Sequence, residues 1–181
     1  MLIRSREVFT GRVTRLTVDT VDLPNGHRAD LEVLHHPGGA AVVAVDGARQ
    51  VCLLRQYRHA AGGYVIELPA GRLEPDEAPA RTAERELAEE AGRHAACWRD
   101  LGVSLSSPGV FTERIYLYLA TELTPVPDAP EAAEVFEVLW VPLAEAVQRC
   151  LRGDIEDSKT CLGILRAAAV LAQMDVAEAP C

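Results

Sequence analysis

The sequence predicts an α/β fold, with a mixed β-sheet held between helices as an α/β/α sandwich and an antiparallel β meander preceding it. Three observations carry this. Short strand-like segments crowd the first third of the chain, an amphipathic helical segment follows, and two further helical periods close the sequence.

Taken in order, residues 7–21 alternate enough to suggest strands, as do residues 30–35 after the turn-forming Pro24-Asn25-Gly26. Residues 40–45 and 50–56 are near-continuous apolar runs around Asp46-Gly47, which predicts a hairpin entering a central sheet. Gly62-Gly63 ends that unit, and residues 64–67 begin another short strand. A helix is expected from Asp76 or Glu77, with Pro79 tolerated in its first turn and Gly92 as its stop. Residues 97–105 and 115–121 read as strands flanking a loop centred on Pro108-Gly109. A proline-rich loop at 124–130, a strand at 135–141 and helices at 143–152 and 160–174 complete the order, without internal repeats or low-complexity sequence. The organisation expected is a meander over residues 1–39 and one larger domain over 40–181.

Composition agrees with a compact domain of enzyme size. With 181 residues, 49% of them apolar, the chain can bury a core. Its 18 basic and 27 acidic residues give a formal charge of −9, unlike the basic footprint of a nucleic-acid binder. Small anions must therefore be met by local arginines and metal ions. Cys52, Cys97, Cys150, Cys161 and Cys181 are odd in number, scattered and without zinc-like spacing, so reduced and mostly buried thiols are expected. The opening MLIRSREVFTGR lacks an apolar signal region, and the late apolar stretch 164–174 is interrupted by Arg166 and too short to span a bilayer. A soluble cytoplasmic protein with no membrane partner is the expectation.

The chemistry concentrates in residues 71–93, GRLEPDEAPARTAERELAEEAGR. On a helix, Glu86, Glu89 and Glu90 fall within an arc of roughly 100°, beside an apolar stripe of Ala80, Ala83, Leu87 and Ala91. Crowding carboxylates at these spacings costs about 0.2–0.5 kcal/mol per pair, a cost that a bound cation removes. Hard divalent ions prefer oxygen ligands, so Mg²⁺ is the expected metal, with Mn²⁺ as the alternative. Glu77 and Arg85 are eight positions apart, close to two turns, so Glu77 near the helix start can hold Arg85 and orient the segment. Gly71 permits a tight turn that leaves the Ala70 carbonyl facing the metals. The competing reading is a solvated acidic helix face in a chain this negative; the flanking residues favour the metal.

Outside that segment, Arg55-Gln56-Tyr57-Arg58 ends an apolar strand and offers two guanidiniums suited to bidentate phosphate contact. The alternative is ordinary surface arginines beside a packed tyrosine. Packing is also the default for Tyr57, Tyr64 and Phe111.

The pattern of Gly71, Glu77, Arg85-Glu86, Glu89-Glu90 and Gly92 resembles the Nudix box, departing only at Arg93, where an aliphatic residue is usual. Arg55-Gln56-Tyr57-Arg58, Gly62-Gly63-Tyr64, Glu67-Leu68-Pro69-Ala70-Gly71 and Ser107-Pro108-Gly109 together resemble the ADP-ribose pyrophosphatase branch of Nudix hydrolases. Pro108 stands fifteen residues past the box, where that branch carries a proline, and Asp157-Ser158-Lys159-Thr160 extends the resemblance to most of the chain. The resemblance implies a Nudix sandwich and Mg²⁺-dependent hydrolysis of the diphosphate of ADP-ribose or a related nucleoside diphosphate sugar. The products would be AMP, or another nucleoside monophosphate, and a sugar phosphate.

By the same resemblance, Glu86 and Glu90 are the principal metal ligands, Glu89 is a further or substrate-dependent one, and Ala70 ligates through its carbonyl. Arg85 and Glu77 support them. Glu113 orients or deprotonates the attacking water, or a box glutamate such as Glu89 takes its proton; the alternative for Glu113 is a flexible surface glutamate, and its usual acidic neighbour is here Thr112. Arg55, Arg58, Pro108 and Gly109 are carried over as substrate-binding. Relatives complete the base pocket across a homodimer, with the N-terminal segment reaching over its partner; Phe9, His27, His35 and His36 are the residues available for stacking here, against the alternative of strand-surface or interface positions. Two other functions stay open: hydrolysis of another diphosphate (GDP-mannose, a dinucleotide or a nucleoside triphosphate) and a noncatalytic ADP-ribose sensor. The intact Glu86, Glu89 and Glu90 count against the sensor.

Overall fold

The computed structural model describes residues 1–127 and 135–178; part of the proline-rich loop, residues 128–130, and Cys181 lie outside the described residues. The elements in chain order are β1 (Leu2–Thr10), β2 (Arg15–Asp22), β3 (Arg28–His35), β4 (Gly39–Ala44), β5 (Gln50–Arg58), a 3-10 turn (His59–Ala61), β6 (Gly63–Glu67), β7 (Ala70–Arg72), α1 (Pro79–Ala91), β8 (Arg93–Leu105), β9 (Arg114–Pro125), β10 (Phe136–Pro142), α2 (Leu143–Arg152) and α3 (Ser158–Glu178).

The antiparallel sheet β1-β2-β3 forms the expected meander. Its β2–β3 turn closes with the Leu23 N–H on the His27 carbonyl and the Gly26 N–H on Leu23. Every residue of β1 is exposed, so the ladder to β2 rather than burial defines this strand, and it begins at Leu2, ahead of the expected start.

Two sheets make up the rest, ordered β7-β4-β9-β8 and β10-β5-β6. The first is mixed: β4 runs parallel to β9 and antiparallel to β7. All six residues of β4 are buried. Its Ala41 and Val43 join Leu143 and Ala146 of α2 and Ile164, Ala167 and Leu171 of α3 in one core; Ala40, Val42 and Ala44 join Ala83, Leu87 and Ala91 of α1 in the other. A strand covered on both faces reads as a continuous apolar run because it has no solvent face. Full burial of one side chain such as Leu87 contributes about 1.5–3 kcal/mol.

Several boundaries differ from expectation, for local reasons. The Asp46-Gly47 turn does not close a hairpin within one sheet: β4 and β5 enter different sheets, and Val45 and Val51 beside the turn form only an isolated bridge. The turn is held by the Asp46 carboxylate, which accepts the N–H groups of Ala48 and Gln50. Helix α1 begins at Pro79 rather than at Asp76 or Glu77, since Asp76 takes a φ of 63° and cannot continue a right-handed helix. Gly92 ends it as expected, at φ 58° with its N–H on the Ala88 carbonyl. β8 starts directly after it at Arg93, and Thr124 and Pro125 end β9 instead of opening a loop.

Of the described cysteines only Cys52 is fully buried; Cys150 and Cys161 are partly so and Cys97 is exposed. No disulfide forms among them. Burial pushes the Cys52 thiol up to about 12. No helix among the described residues is long and apolar enough to cross a membrane.

Candidate active site

An open cleft of about 890 Å³ lies where β7, the inner face of α1, the start of α3 and the loop after β8 converge. Its acidic wall is built on α1. The apolar stripe of Ala83, Leu87 and Ala91 packs against the β4 sheet, and this turns Glu86 and Glu90 inward, to 7% and 1% exposure, with Glu89 more open beside them.

Arg85 ties this wall together. Its Nη1 donates to Glu86 at 2.6 Å and to Glu89 at 3.1 Å, while Nε and Nη2 donate to the two oxygens of Glu77 at 3.2 and 3.1 Å. Nη2 also reaches the Arg72 carbonyl. The hydrogen bonds from Arg85 hold the Glu77 carboxyl down at about 2, against the opposing effect of burial and with help from the Thr82 hydroxyl and the Glu74 N–H. Arg85 is correspondingly raised above its ordinary value, chiefly by its bond to Glu77.

Gly71 serves a different purpose from the turn its sequence suggests. It sits in β7 opposite Ala40, without a positive φ, and a Cβ on it would stand 1.7 Å from Glu86 Oε1. Only a residue with no side chain lets that carboxylate lie against the strand.

Of the residues considered for a metal, Ala70, Glu86 and Glu89 line the cleft, and the buried Glu90 lies against Ala70, its Oε2 accepting the Ala70 N–H at 2.8 Å. Among the described residues no three His, Cys, Asp or Glu side chains are already gathered as a metal cage. The donors are nonetheless all oxygen, and a cationic guanidinium already lies against both Glu86 and Glu89. Such a set suits a hard divalent ion.

A second charge cluster also lines the cleft. Arg58 donates from Nε and Nη2 to Glu67 at 2.8 and 3.0 Å, and Lys159 Nζ donates to Glu67 and to Asp157. Burial pushes the Glu67 carboxyl up, but the bonds from Arg58 and the charge of Lys159 outweigh it, and its pKa is lowered. Lys159 is the only lysine in the chain.

Glu113 also lines the cleft. Ser106 donates its hydroxyl to Oε2, and His36 Nδ1, which accepts the Gly38 N–H, lies 3.2 Å from Oε1. Burial lowers the His36 pKa, Glu113 opposes this and Arg72 adds to it. The loop that bears Glu113 is pinned to the end of β3: Leu34 N–H to Val110, Thr112 N–H to Leu34, and His36 N–H to the Thr112 hydroxyl. Thr112, standing where an acid is usual, thus supplies a tether.

Arg55, Pro108 and Gly109 are not among the cleft-lining residues. Arg55 lies over the Tyr64 ring at 3.9 Å and near Glu137. Arg55 and Arg58 are an odd number of residues apart on β5, so their side chains leave opposite faces, a parity visible in the sequence. Pro108 follows Ser107, whose carbonyl accepts the N–H groups of Val110 and Phe111 in the turn leading to Glu113. Of the stacking candidates only His36 lines the cleft; Phe9 and His27 are exposed on the meander, and His35 contacts Thr17. Tyr57 and Tyr64 pack edge to face on a half-exposed surface, and Phe111 packs beside His36.

In the sequence Glu67 and Lys159 stood only as members of the resembling motifs, without a role, and Ser106 was passed over. Glu67 carried a signal: a carboxylate ending an apolar strand has to find cations if it is buried.

Comparison with known proteins gives matches across this framework. The model of the NUDIX domain matches residues 35–160. A methanol dehydrogenase activator from Bacillus methanolicus is 37% identical over 90% of this chain and 89% of its own length. An ADP-ribose pyrophosphatase from Mycobacterium tuberculosis (strain ATCC 25618 / H37Rv) is 39% identical over 93% of this chain and 83% of its own. A crystal structure of an ADP compounds hydrolase superposes with a TM-score of 0.83, covering 96% of this chain and 95% of that one at 21% identity, a likeness of fold.

Proposed function

This chain belongs to the Nudix family of hydrolases, and from that premise we propose that it hydrolyses the diphosphate of ADP-ribose or a related nucleoside diphosphate sugar. The observation that carries the reading is that one cleft is lined both by Ala70, Glu86 and Glu89 and by Arg58, Glu67 and Lys159. A diphosphate bound there meets metal-binding oxygens and the Arg58 guanidinium together. The similarity to the mycobacterial ADP-ribose pyrophosphatase supports this choice of substrate class.

Glu86, Glu89, Glu90 and the Ala70 carbonyl would hold Mg²⁺, or Mn²⁺ in its place. When bound, the metal supplies charge neutralisation at the diphosphate and acidifies a coordinated water. Arg85 and Glu77 fix the orientation of Glu86 and Glu89 from behind. Glu113 accepts the proton of the attacking water, its Oε2 already bonded by Ser106. Arg58 binds a phosphate oxygen. Pro108 and Gly109 act through the turn that presents Glu113, and Arg55 lies against Tyr64 on the other face of β5 from Arg58.

The same reading assigns residues 1–39 to pairing in a cytoplasmic homodimer and to base binding, and residues 40–181 to catalysis. It is supported by exposed Leu2, Ile3, Val8 and Phe9 on the meander.

The test is chromatographic detection of products from ADP-ribose and the purified protein, with Mg²⁺ and with excess chelator. AMP and ribose 5-phosphate formed only with Mg²⁺ is the expected result. Turnover of GDP-mannose, a dinucleotide or a nucleoside triphosphate with ADP-ribose untouched would reassign the substrate, and metal-independent binding without turnover of any of them would make the chain a sensor.

A further inference from the structure

We propose that Glu67 is a positioning residue for substrate binding: it holds the Arg58 guanidinium at the cleft, and Lys159 in turn locks Glu67. The inference rests on the reading above that Arg58 contacts a substrate phosphate.

The geometry has a direction. Glu67 ends β6 at 4% exposure, while the Arg58 side chain is 43% exposed at the cleft wall. The buried partner is therefore the fixed one. Register supports this, because Leu54 of β5 pairs with Glu67 while Arg58 pairs with Gly63, leaving the long Arg58 side chain to lie back along β6 to reach the carboxylate. Both Glu67 oxygens accept from Arg58, a fork that fixes the guanidinium plane as one bond could not.

A carboxylate on a single-bonded stem would still rotate. Lys159 prevents this from a different element, donating to Glu67 Oε2 while Asp157 Oδ2 receives the same ammonium at 3.0 Å. Asp157 is itself fixed, accepting the Thr160 N–H at 3.0 Å and the Thr160 hydroxyl. That fully buried hydroxyl accepts the Leu68 N–H at 2.8 Å, one residue beyond Glu67. The start of α3 thus grips β6 at two successive residues, once through side chains and once through backbone. Arg58 presents a pre-oriented guanidinium to a phosphate and loses less freedom on binding than a swinging arginine would.

A positioning role and a merely structural staple separate in a double-mutant cycle measured as KM and kcat for ADP-ribose with Mg²⁺. Arg58→Ala and Glu67→Gln are each expected to raise KM about tenfold with kcat changed far less, and the double variant to be no worse than Arg58→Ala alone. Lys159→Met runs the same cycle without removing the Glu67 charge and decides the matter if Glu67→Gln does not fold: it should raise KM in the parent and have no effect in the Arg58→Ala background. Additive effects on KM, or a Glu67→Gln protein that melts lower with KM unchanged, would overturn the inference. An unchanged KM in Arg58→Ala alone would instead overturn the assignment of Arg58 on which it rests.

Discussion

The Glu86 carboxylate occupies the space in which a side chain on Gly71 would begin, with Cδ 2.1 Å and Oε1 1.7 Å from the position of a Cβ. The atoms that must yield to a methyl group belong to the end of a flexible side chain, so the backbone can stay while the carboxylate moves. Gly71→Ala is therefore expected to fold, with a melting temperature within a few degrees of the parent, and to lose on the order of 10²-fold in kcat/KM through displacement of Glu86. Melting curves and steady-state kinetics on the same preparation check both halves; full activity would remove Glu86 from the site.

The general base and the metal-binding carboxylates should fail differently. Glu113→Gln should lower kcat by about 10²–10⁴-fold, the range of a lost general base, with Mn²⁺ affinity unchanged in a calorimetric titration. Glu86→Gln and Glu90→Gln should weaken Mn²⁺ binding and turnover together. Parental turnover in Glu90→Gln would remove this buried residue from the metal set.

Glu77 makes stability depend on acid in a defined window. Its carboxyl is lowered from the ordinary 4.5 to about 2 in the fold, so the stabilisation is complete above pH 4.5 and is lost as pH falls toward 2. Urea unfolding across this interval should show a flatter pH dependence for Glu77→Gln than for the parent. Parallel curves would mean that the Arg85 bonds persist without the charge.

Arg55 and Arg58 should separate in kinetics despite their shared motif. Arg55 faces Glu137 with 42% of its side chain exposed, and an exposed pair of this kind contributes about 0.2–1 kcal/mol. Arg55→Ala is expected to leave KM for ADP-ribose within about twofold. A tenfold rise would bring the Arg55 side of β5 into substrate binding.

What the sequence made legible was local. Glu77 and Arg85 could be paired because they are near in sequence, although Glu77 stands before α1 and not on it, and Gly92 could be set as the stop from its place at the helix end. The continuous apolar runs at β4 and β5 announced buried strands but not that they part into different sheets, since periodicity carries no information about which neighbour a strand takes. β7, at three residues, is too short to have a period at all. The Gly71 turn was misread because a glycine required by a neighbour's carboxylate looks the same in sequence as one required by φ. Lys159 and Glu67 lie 92 positions apart, and only the docking of α3 brings them together. His36 was a stacking candidate by residue type, and folding brings it beside Glu113 instead.

A chain whose 18 basic residues include one lysine offers amine-directed reagents a single ε-amino target, and that target stands in the cleft between two carboxylates. Its side chain is 18% exposed. Acylating labels, amine cross-linkers and lysine-coupled surfaces that do react with this side chain will modify the lining of the cleft itself, whereas the arginine-studded exterior gives them no ε-amine to attack. Tags and immobilisation intended to leave the cleft open are better directed to the exposed thiol of Cys97.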